Sequence, residues 1–238
     1  MGRLIDYWGN RNALSSLVEE MSLRARRRMF AEWREFAGKV CGQSVLDVGT
    51  TPNQTRADSN CMIPWLEDQG LLVTLFSPED IRQLGRVFPR ARLLDAASSG
   101  SSIPAGDRAF QWVVSSAVIE HVGSFRVQVA FLRECARVAD GLFITTPNRW
   151  HWLEFHSKLP FLHWMPRPVH RRSLRLLGNE VWADESTLRL LDRRELAEAA
   201  TQALGDAFVF DIRHVWSLGM PSNLVLLARR KPAQGSCA

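Results

Sequence analysis

The chain predicts an α/β fold: a doubly wound, mostly parallel, seven-stranded sheet ending in a C-terminal antiparallel hairpin. Three observations support this. Short apolar runs alternate with helix-period segments from Val45 onward. Glycines close the helical segments, at Gly38, Gly42, Gly70 and Gly205. The last two apolar runs are joined by only a Gly/Pro/Ser/Asn stretch, which suits a hairpin on an otherwise parallel sheet.

Taken in order, Arg11 to Phe36 is helical, with Leu14, Leu17, Val18 and Met21, then Met29, Phe30, Trp33 and Phe36, on its apolar stripe. The run Arg24-Ala25-Arg26-Arg27-Arg28 reads as a solvated helix face or a phosphate-facing patch. Val45 to Val48 is the first strand. Met62 to Gln69 is a short helix, and the continuous apolar run Leu71 to Phe76 is the second, buried strand. Ser77-Pro78-Glu79-Asp80 predicts a helix start, a serine cap with proline and acids in the first turn, running to Val87. Ala91 to Leu94 is a third strand. Ala96 to Asp107 is a loop by its Ser, Gly, Pro and Ala content. Phe110 to Ser115, the helix Ser124 to Ala139, and the strand from Gly141 to Pro147 complete the alternating part. Trp150 to Leu177, with Pro160, Pro166, Pro168 and four histidines, breaks the rhythm. Leu191 to Leu204 is a helix beginning near Asp192, and Phe208 to Val215 and Leu224 to Ala228 form the hairpin. Lys231 to Ala238 reads as a frayed tail.

At 238 residues the length suits one domain. Its parts are a helical cap over 1–40, a ligand-binding core over 41–147, a lid or cover over 148–180, and a helix with hairpin over 181–230. A composition 46% hydrophobic and 23% charged excludes a disordered chain. No apolar run approaches the roughly 20 residues of a membrane span, and Met1 to Asp6 lacks the apolar stretch of a secretory signal. Cys41, Cys61, Cys135 and Cys237 form no C-x-x-C pair. They read as reduced thiols in a cytoplasmic protein. The net charge of +5 comes almost wholly from arginine, and alone argues weakly for nucleic acid.

The residues that carry chemistry follow the strands. Ser44-Val45-Leu46-Asp47-Val48-Gly49-Thr50-Thr51 places a carboxylate and a glycine turn at the end of strand one. Glycine lets backbone approach a ligand, and a helix following the turn would present free N–H groups. Leu94-Asp95-Ala96 precedes a loop containing Ile103-Pro104. Ser116-Ala117-Val118-Ile119-Glu120-His121-Val122 follows strand four. In this order the motifs resemble the class I S-adenosylmethionine-dependent methyltransferases, best the small-molecule (type 11-like) branch, over roughly residues 40–147. The resemblance implies a Rossmann-like fold, S-adenosylmethionine as cofactor, and methyl transfer. It places Asp47, Val48, Gly49, Thr50 and Thr51 near the methionine end of the cofactor. It sets Asp95 and Ala96 by the adenine, and Ser116 by the methyl channel. Two departures stand out: no second glycine follows Gly49, and Leu75 occupies the position of the acid that grips the ribose. Ser77, Glu79 or Asp80 are the available substitutes.

A hydroxyl acceptor needs a base near neutral pKa, which makes His121, His151 and His156 candidates. His151 and His156, five apart among prolines, do not form a metal-ligand pattern, and no metal is expected. The Trp/His segment reads as an acceptor lid, an ordinary hydrophobic cover, or a membrane or protein contact through 150–175. The expected activity is methyl transfer to a small molecule or a lipid- or nucleotide-linked sugar, with O-methylation favoured by the histidines. The rivals are a methyltransferase-like binding domain without activity and an RNA methyltransferase. The second lacks an Asn-Pro-Pro-Tyr-type motif.

Overall fold

The computed structural model describes residues 13–95 and 102–232. Seven strands form one sheet among these residues: β1 Ser44–Val48, β2 Leu72–Phe76, β3 Arg92–Leu93, β4 Phe110–Ser116, β5 Ala139–Pro147, β6 Phe208–Ser217 and β7 Met220–Arg230. Their order is β3-β2-β1-β4-β5-β7-β6. The first five pair in parallel; β7 runs antiparallel to both neighbours, β5 and β6. The expected doubly wound sheet with an antiparallel hairpin is therefore present.

Alternation along the strands builds two cores. Val45, Trp112, Val114 and Phe143 pack toward helices α1 (Ala13–Ala37) and α2 (Met62–Asp68). Leu46, Val113, Leu142 and Ile144 pack toward α4 (Phe125–Val138) and α6 (Arg193–Leu204). Trp33 of α1 is wholly buried, stacked on Phe143 and edge-on to Trp112. Gly141 lies opposite Trp112 in the register, and a Cβ there would overlap the indole. Asp47 shares the parity of Val45, so its carboxylate faces the α1 side. No helix among the described residues is long and apolar enough to cross a membrane.

Three local expectations change. The helix expected from Ser77 shrinks to a single turn, α3 (Leu84–Val87). Ser77 Oγ accepts the Glu79 N–H, and Asp80 Oδ1 accepts the Arg82 N–H. These side chains close local turns in place of helix hydrogen bonds. Second, the segment after β5 contains a helix, α5 (Arg167–Leu176), with Pro168 in its first turn, where the missing N–H is harmless. Third, the hairpin is tight. Leu218 and Gly219, both at positive φ, form the whole turn, and Met220 to Asn223 belong to β7.

Candidate active site

The carboxyl ends of β1, β2 and β4 open into a cleft of about 430 Å³, lined by Gly49, Thr50, Thr51, Ser77, Pro78, Glu79, Ala117, Val118, His121 and His156, among others. A smaller cavity of about 70 Å³ adjoins it beneath α1, with Met21, Met29, Ser116, Glu120 and Phe155 on its walls. Arg26, Arg56, Asp58, Ala117 and His156 line both.

Gly49 sits at φ +91°, and a Cβ there would overlap Val118 across the cleft floor. Only glycine satisfies both conditions. Beyond it the chain does not enter a helix: α2 begins only at Met62. The expected helix N-terminus at this turn is absent, and the loop is fixed by side chains instead. Asn60 Nδ2 donates to the Thr51 carbonyl at 2.8 Å, while the Thr51 N–H donates to Asn60 Oδ1 at 3.1 Å. The Thr50 hydroxyl donates to Asp47 Oδ1 at 2.7 Å, closing over that carboxylate. Burial pushes the Asp47 carboxyl up to about 6, against the pull of the Thr50 hydroxyl and the Arg26 charge.

Arg26 is the member of the arginine run that turns inward. It donates to Ser116 Oγ at 2.6 Å and lies 4.0 Å from the buried Asp58, which also pairs with Arg56 at 2.8 Å. Its neighbours go elsewhere: Arg24 pairs with Glu20, Arg27 lies over Trp65, and Arg28 donates to the Trp216 carbonyl.

The 3-10 turn Ile119–His121 follows β4 and is held from outside. Gln128 Nε2 donates to the Ile119 carbonyl, and the Arg189 N–H to the Glu120 carbonyl. His121 Nδ1 lies 2.8 Å from the Thr187 carbonyl. His121 Nε2 meets His156 Nε2 at 3.0 Å, and His156 Nδ1 meets Glu154 Oε1 at 2.6 Å. Glu120 is fully buried; its Oε2 accepts from the Thr146 hydroxyl at 2.9 Å. Burial and the neighbouring His156 hold His121 below the ordinary histidine value. Burial also opposes charge on His156, but the Glu154 carboxylate outweighs it and raises the value. Burial likewise opposes the Glu154 charge, yet His156 and Ser157 hold its carboxyl at about 2.

No family model matches the chain, and no curated protein does. Solved structures match over most of its length. The 1,6-didemethyltoxoflavin-N1-methyltransferase of Burkholderia thailandensis, with bound 1,6-didemethyltoxoflavin and S-adenosylhomocysteine, aligns with a TM-score of 0.55 at 16% identity, over 94% of this chain and 93% of that one. The magnesium protoporphyrin IX methyltransferase of Synechocystis PCC 6803, with bound SAH, gives 0.56 at 13%, over 94% and 90%. A SAM-dependent methyltransferase from Aquifex aeolicus gives 0.53 at 16%, over 85% and 89%. This chain has the class I methyltransferase fold.

On this methyltransferase scaffold, Gly49, Thr50, Thr51, Ser77, His121 and His156 share the cleft, and Ser116 lies in the adjoining cavity. Asp47 stands behind Thr50 and Val48 points into the core; neither lines the cleft. His151 is buried in the cover, its ring on Phe155 and its carbonyl accepting from His163 and Trp164, away from the cleft. Asp95 is exposed at the end of β3 and does not line the cleft, and Ala96 lies outside the described residues. Arg26 and Glu154 are site residues the motifs did not single out, and Glu120 stood in the motif after strand four without a role of its own. Arg26 had a signal: it falls four residues before Phe30, on the stripe that α1 buries. Glu154 had none, because its partner is fixed by a turn with no sequence signature.

Proposed function

We propose that this protein is an S-adenosylmethionine-dependent methyltransferase acting on a small-molecule acceptor, with oxygen the favoured receiving atom. The observation that carries the reading is the meeting of the Gly49 turn with two imidazole nitrogens, His121 Nε2 and His156 Nε2, in one cleft at the carboxyl ends of β1, β2 and β4. The residues fit the cofactor. The cleft falls in the volume range of small-molecule sites. Gly49 admits close backbone approach, Glu79 offers a carboxylate beyond β2 for ribose hydroxyls, and Arg26 offers a guanidinium for the amino-acid carboxylate. When bound, the cofactor supplies an electrophilic methyl group on a sulfonium sulfur. The chain's own part is positioning: the paired His121 and His156 form the cleft wall against which the acceptor sits, and α1 with the cover excludes water. The 70 Å³ cavity, with Met21, Met29 and Phe155 beside Arg26, suits a compact acceptor group that is apolar on one side.

A second reading, a binding domain without activity, is favoured by one observation. Thr51 and Asp47 are both assigned to the cofactor by resemblance, yet the Thr51 N–H and the Asp47 carboxylate are engaged within the chain by Asn60 and Thr50. Calorimetric titration with S-adenosylmethionine and S-adenosylhomocysteine separates the two. Micromolar binding of both, weakened at least tenfold in Arg26→Ala, supports the enzyme. No heat of binding up to millimolar ligand leaves the binding domain.

A further inference from the structure

We propose that Glu120, His121 and His156 form a site for one divalent transition-metal ion inside the cleft, with Glu120 Oε1, His121 Nε2 and His156 Nε2 as ligands. Hydrogen-bond direction fixes the tautomer of both histidines. The Thr187 carbonyl can only accept, so His121 Nδ1 carries a proton and its Nε2 the lone pair. The Glu154 carboxylate likewise takes the Nδ1 proton of His156. Two imidazole lone pairs then face each other at 3.0 Å and require a cation between them, a proton or a metal ion.

Glu120 decides between these. Its Oε1 is buried and has no hydrogen-bond partner, and it stands 4.0 Å from His121 Nε2. A shared proton between the histidines leaves that carboxylate oxygen unsatisfied. A metal ion uses all three atoms. Two ligands about 2.1 Å from one ion lie roughly 3–4.2 Å apart, depending on the angle at the ion. The three ligand atoms here lie within 4.8 Å of one another, so closure needs a shift on the order of 1 to 1.5 Å by the Glu120 side chain. The surrounding bonds are those of a metal centre: one ligand histidine donates to a backbone carbonyl, the other to a carboxylate, and the ligand carboxylate accepts from Thr146. Two imidazoles and one carboxylate suit zinc, cobalt, iron or manganese better than calcium or magnesium. His121 and His156 both line the cleft, so the remaining coordination positions face its interior. That these positions hold an acceptor oxygen rests on the methyl-transfer reading; the existence of the site does not.

The test is metal retention by the full chain. Protein stripped with a chelator is dialysed in turn against zinc, cobalt and manganese chloride, and bound metal is counted by mass spectrometry. One equivalent of at least one ion is expected, with visible d–d absorption when the ion is cobalt. His121→Ala and His156→Ala should lower the affinity roughly 100-fold, and Glu154→Gln about 10- to 100-fold. His214→Ala, on β6, should change nothing. Glu120→Gln keeps the side-chain shape and covers the case in which an alanine variant fails to fold, as judged by circular dichroism. Folded wild-type protein that retains no ion, with nitrogen shifts of one shared His121–His156 proton, overturns the site; so does retention untouched by every variant. Titrating the stripped protein with S-adenosylhomocysteine keeps the two proposals apart. Nucleoside binding without metal retention removes only the metal site, and metal retention without nucleoside binding removes only the methyltransferase.

Discussion

Asp47 is buried on the α1 side of the sheet, and its carboxyl sits at about 6 in the folded chain. In the unfolded chain it titrates near 3.9. The folded state therefore holds this proton more tightly, and the associated stability is fully present below about pH 4. It is lost as pH rises toward 6 and stays lost above. A shift of about two units corresponds to roughly 3 kcal/mol as an upper figure. Asp47→Asn should flatten this part of the stability profile, so variant and wild type diverge between pH 4 and 7 in urea denaturation. Parallel profiles would remove the assignment. Asp47 also shows what was legible in single residues. The acid-glycine pair marked the right turn, because strand and glycine punctuation are local. That Thr50 would cover the carboxylate was not legible, since it depends on a side-chain rotamer in a loop braced by Asn60.

Among the elements, those fixed by local chemistry were the ones readable in advance. Helix α6 begins where its cap predicts: Asp192 accepts from the Glu195 N–H, and Glu195 reaches back to the Asp192 N–H. Asp192→Ala should lower stability by about 1 kcal/mol, measured as a shift in denaturation midpoint at unchanged slope. A shift within about 0.2 kcal/mol would mean that the box contributes nothing net. The same cap-type residues misled at Ser77 and Asp80: an apolar stripe of Ile81, Leu84 and Phe88 does follow, but the Ser77 and Asp80 side chains accept the N–H groups two residues on and hold the segment in turns, leaving only Leu84–Val87 helical. Strands β1, β2, β4 and β5 were readable because their runs are buried on both faces. Helix α5 was not, because its prolines read as breaks and its stripe is narrow, with Leu174 its only fully buried side chain.

At the scale of the molecule, α1 and the segment after β5 close the cleft that the sheet opens. That segment brings Glu154 and His156 against His121, in the turn that follows β4. Ligand in the cleft should slow amide exchange over residues 148–166 by at least tenfold. Equal exchange with and without S-adenosylhomocysteine, at concentrations where calorimetry shows it bound, would mean a static cover. The histidine pairing spans 35 residues and was legible only as two separate candidates, because nothing local sets the distance between them.

The position of β7 between β5 and β6 has a consequence for synthesis. Of the seven described strands the last in sequence is an interior one, so until it is translated β5 and β6 each present an open, apolar edge awaiting Leu224, Leu226 and their neighbours. A chain stopped after Gly219 should lose cooperative unfolding and collect in the insoluble fraction, whereas one stopped after Pro232 should not. The newborn protein is thus vulnerable along these two edges until β7 emerges, and a chaperone that shields strand edges would act there.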